Sequence, residues 1–76
     1  SEIIMRQMIL EALRKSYHGE IAKLSAIVEI FLEAHAGVGD HPDVVETIDK
    51  LIGDIAEIDD KLMVLDTHFN TATPRI

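Results

Sequence analysis

The chain has 76 residues, 47% of them hydrophobic, no cysteine, and a formal charge of −7. That length allows one domain whose core is near the lower size limit, and disulfides and thiolate zinc sites are both excluded as supplements, leaving self-association. The acidity repels phosphate backbones and anionic lipid, so neither a nucleic acid nor a membrane is expected as a direct partner. The apolar content is too high for a disordered tail, and no apolar run is long enough to span a bilayer. The opening residues 1–6, Ser-Glu-Ile-Ile-Met-Arg, lack the basic and long apolar regions of a secretory signal, so a soluble cytoplasmic protein is expected.

Residues 2–36 read as the first helix. Ile3, Ile4, Met5, Met8, Ile9, Leu10, Ala12, Leu13 and Tyr17 form an apolar arc wider than one seam, on a background of strong helix formers. Arg14 and Lys15 followed by Gly19 resemble a helix end, with cations in the last turn and glycine beyond it. Yet the series Leu10, Leu13, Tyr17, Ile21, Leu24, Val28, Phe31 passes through Gly19 with one additional four-residue step, which is a stutter in a continuing helix. One long helix, bent or broken at Gly19 at most, is therefore expected. Residues 21–34 are apolar almost all round, with Lys23, Ser25, Glu29 and Glu33 as exceptions, so this segment needs cover on several sides, more than one neighbouring helix supplies.

The break in the pattern is residues 37–42, with Gly37 suited to the left-handed position after a helix and Pro42 unable to continue it. A second helix is expected over residues 43–69, opened by Asp43 and Glu46 as a capping box, with Asp40 as an alternative cap. Its seam is Val44, Ile48, Leu51, Ile55, Ile58, Leu62, Leu65 and Phe69, at alternating spacings of four and three. Apolar residues at that period lie on one side of a helix and require another helix to cover them. A thinner line of Val45, Ile52, Ala56 and Met63 runs beside the seam, so that one of the two can face the first helix and the other a partner subunit. Residues 70–76 contain weak helix formers and a proline and read as a flexible tail.

A connection this short makes the helices antiparallel neighbours. Paired from the loop, Leu51 lies near Val28, Leu62 near Tyr17 and Phe69 near Leu10. Ile3, Ile4, Met5, Met8 and Ile9 then project past the second helix as an apolar overhang, which the tail, another subunit or a target protein is expected to cover. The expected fold is all-α: an antiparallel two-helix hairpin that dimerises into a four-helix bundle.

Nothing in the sequence has the spacing of a catalytic or cofactor-binding motif. Ser16 and Ser25 are isolated helix residues without a plausible base, and there is no phosphate-binding glycine loop or nucleophile elbow. His35 and His41 flank the loop beside Asp40 and Asp43, and Glu29 and Glu33 lie one turn apart, so Glu29, Glu33, His35 and His41 are the weak metal candidates. No His-x-x-x-His or Glu-x-x-His pair completes a site, and His35 and His68 also suit helix carboxyl ends as cations. His18 has no ligand-spaced partner. Neither catalysis nor a cofactor is expected.

The charge is concentrated. Residues 43–66 hold eight acids against two lysines, a net −6, and Asp54, Glu57 and Asp60 typify that acidic face. Three functions fit: a helical protein acting through protein–protein contacts as a regulator or structural adaptor, an acidic decoy that mimics DNA toward a basic protein, or a carboxylate/histidine metal bundle.

Overall fold

A computed structural model of the chain describes residues 2–34 and 42–69. It contains two α-helices, α1 (Glu2–Ala34) and α2 (Pro42–His68), packed against each other as a hairpin. The expected ends of the first helix at residue 36, the loop and the tail lie outside the described residues. With 33 residues in α1 and 27 in α2, the helices are about 50 Å and 40 Å long at 1.5 Å per residue. The molecule is a rod with extents of 57 × 16 × 14 Å.

α1 runs through Gly19 without interruption. A glycine interior to a helix costs about 1 kcal/mol relative to alanine; here the flanking helix formers outweigh it. A Cβ added at Gly19 meets nothing within 4 Å, so nothing in the hairpin requires a glycine there. Gly19→Ala is accordingly expected to raise stability by roughly 0.5–1 kcal/mol. A urea titration checks this, and a loss of stability would mean that a second chain lies against that face.

α2 begins at Pro42, one residue ahead of the expected Asp43. The missing N–H and restricted φ of proline suit the first helical position, where the N–H has no intrahelical acceptor. Asp43 therefore sits inside the first turn, where a negative charge favours the helix dipole, and does not serve as the cap. Thr47 closes this turn, its Oγ1 donating to the Asp43 carbonyl at 2.8 Å. At the other end the helix stops at His68. Phe69, expected inside it, lies in a bend, although its N–H still donates to the Leu65 carbonyl at 2.9 Å.

The seam of α2 faces α1. Leu62 and Leu65 are buried, and Val44, Ile48, Leu51, Ile55 and Ile58 are half-buried. From α1, Leu10 and Leu24 are buried, and Tyr17, Ile21, Val28 and Phe31 are half-buried. Two contacts set the direction and register. Arg14 Nη2 donates to Asp66 Oδ1 at 2.7 Å, and Lys61 Nζ lies 6.0 Å from the centre of the Tyr17 ring. Both join the start of α1 to the end of α2, so the helices are antiparallel. The same register sets Phe69 level with Leu10 and Val28 level with Leu51.

The Arg14–Asp66 pair adds little stability. Asp66 is exposed, so solvent and salt screen the attraction, and such pairs are worth about 0–1 kcal/mol. Arg14→Met is expected to change unfolding free energy by no more than about 1 kcal/mol, and the change should shrink at high salt. A larger, salt-independent loss would show that the arginine stem packs as core.

Candidate interaction surface

A two-helix pair covers each helix along one strip only, and the exposed apolar side chains follow from that geometry. Ile3 is 69% exposed, and Ile4, Met5, Met8 and Ile9 are each more than half exposed. With Phe69 level with Leu10, these residues extend beyond the described end of α2. On α2, Val45 (68%) and Met63 (63%) are exposed, as are Ile52 and Ala56. Their spacings of seven, four and seven place them on one line, offset from the seam and close to Asp49, Asp59 and Asp66.

Some exposed residues were not singled out by periodicity. Ile30 and Leu32 on α1 and Val64 on α2 are open to solvent. Ile30 and Leu32 belong to the segment that is apolar all round, and one neighbouring helix cannot cover it. Val64 stands one turn from Asp60, Lys61, Thr67 and His68, so it is an apolar residue on a polar face of α2, masked in the sequence by the apolar run 62–65.

Two concavities lie on one side of the hairpin. The larger, about 560 Å³, is floored by Leu10, Leu13, Tyr17, Val64, Leu65 and Phe69 and edged by Glu57, Asp60 and Lys61. The second, about 400 Å³, continues along the start of α1 between Glu2, Met5, Arg6 and Ile9. Leu10 and Phe69 line both, so they form one apolar trough from the overhang onto the helix pair.

Most bases are already engaged. Arg14 and Lys15 approach Glu11 at 3.7 and 3.9 Å, Lys23 approaches Glu20 at 3.4 Å, and Lys50 bonds Asp54 at 3.3 Å. Lys61 sits over Tyr17. Among the described residues Arg6 makes no ion pair, and neither do Glu57 and Asp60. Of the three acids taken to typify the acidic face, Asp54 is therefore half-buried and paired, whereas Glu57 and Asp60 edge the trough.

Glu29 and Glu33 are exposed on α1, while His35 and His41 lie outside the described residues. No group of three or more potential ligands occurs among the described residues. His18 is exposed, and His68 stands in the last turn of α2 with its ring 6.4 Å from that of Phe69, edge to face. Among the described residues no helix is long and apolar enough to cross a membrane.

Fold and surface together define an all-α helical hairpin with uncovered apolar faces. No known protein family, curated protein or solved structure matches this chain. What it does is read from its surface.

Proposed function

We propose that this protein works by association and not by chemistry, as a homodimer in which two hairpins form a four-helix bundle that serves as a regulatory or structural adaptor. The carrying observation is the exposed apolar side chains: among the described residues thirteen large hydrophobics, from Ile3 to Phe69, are more than a third exposed, whereas the buried core consists of only Leu10, Leu24, Leu62 and Leu65. Within such a dimer the line Val45, Ile52, Ala56 and Met63 remains for a second protein. Sedimentation equilibrium at micromolar concentration should return twice the chain mass; a folded monomer overturns the reading.

A second reading, the acidic decoy, is favoured by the net −6 of residues 43–66, with Glu57 and Asp60 exposed on α2 and in no ion pair. Replacing Asp54, Glu57 and Asp60 together by lysine should abolish retention on a polylysine matrix at low salt. Unchanged retention discards the decoy.

A further inference from the structure

We draw no further inference here: the strongest candidate, the apolar trough floored by Leu10, Leu13, Tyr17, Val64, Leu65 and Phe69 and continued along the start of α1, is an unpartnered apolar surface, and nothing in the structure shows what covers it.

Discussion

Leu62→Ala and Leu65→Ala are each expected to lower the free energy of unfolding by roughly 2–5 kcal/mol, the range for emptying a buried leucine site. Leu62 and Leu65 are 7% and 6% exposed, the most deeply buried described side chains, and both face the start of α1. The loss has two parts. Apolar atoms return to water in the unfolded reference, and a rod two helices wide collapses only partly around the space left behind. For a domain this small such a loss is a large share of total stability. Ile52→Ala, on the exposed line of α2, is the control and should change stability by less than about 0.5 kcal/mol unless a partner covers it. Urea titration followed by helical circular dichroism measures all three. If Leu62→Ala costs under 1 kcal/mol, the seam is not the core of this protein.

Thermal unfolding should depend on protein concentration. If the folded unit is a dimer and the unfolded chains are separate, a tenfold dilution removes about 1.4 kcal/mol of dimer stability by mass action. For a unit of about 150 residues that corresponds to a fall in Tm of roughly 3–6 °C for each tenfold dilution. On the proposed reading the physical cause is a shortage of intrachain burial: among the described residues four buried leucines stand against the conformational entropy of 60 helical residues, a shortfall that a second copy would make up. A Tm unchanged between 2 and 200 µM would show that the hairpin folds alone, and the exposed isoleucines and methionines would then have to be explained by a different protein.

Much of the fold was legible before any coordinates, and the reasons are specific. The residues of the α2 seam recur at the helical period without exception, and all but Phe69 are buried or half-buried in the structure. The α1 series carried its stutter through Gly19 because glycine weakens a helix by about 1 kcal/mol, too little to end one that its neighbours favour. The start of α2 was less legible. Asp43 and Glu46 have cap spacing, but Pro42 also suits the first helical position, and a local pattern does not distinguish a cap from a first turn.

The candidate surface was only half legible. The overhang followed from helix lengths, since a 33-residue helix paired with a 27-residue one leaves turns uncovered. The trough did not. Leu13 and Tyr17 had been counted as packing residues, Val64 belonged to no series, and Glu57 and Asp60 were read as part of a uniform acidic face. Their convergence depends on how far α2 is rotated about its own axis against α1, which periodicity within a single helix leaves undetermined.

By itself, then, the sequence determined two antiparallel helices, the strip along which each packs, and an apolar load too large for one hairpin to bury. Those are properties of spacing and composition, and each is set within a single helix or by the chain total. The tertiary structure decided which residues from separate helices share a side. It joined the overhang to the groove through Leu10 and Phe69 and left Arg6 unpaired on the same side as Glu57 and Asp60. Side chains 50 residues apart acquire a common surface only when helix packing fixes register and rotation together.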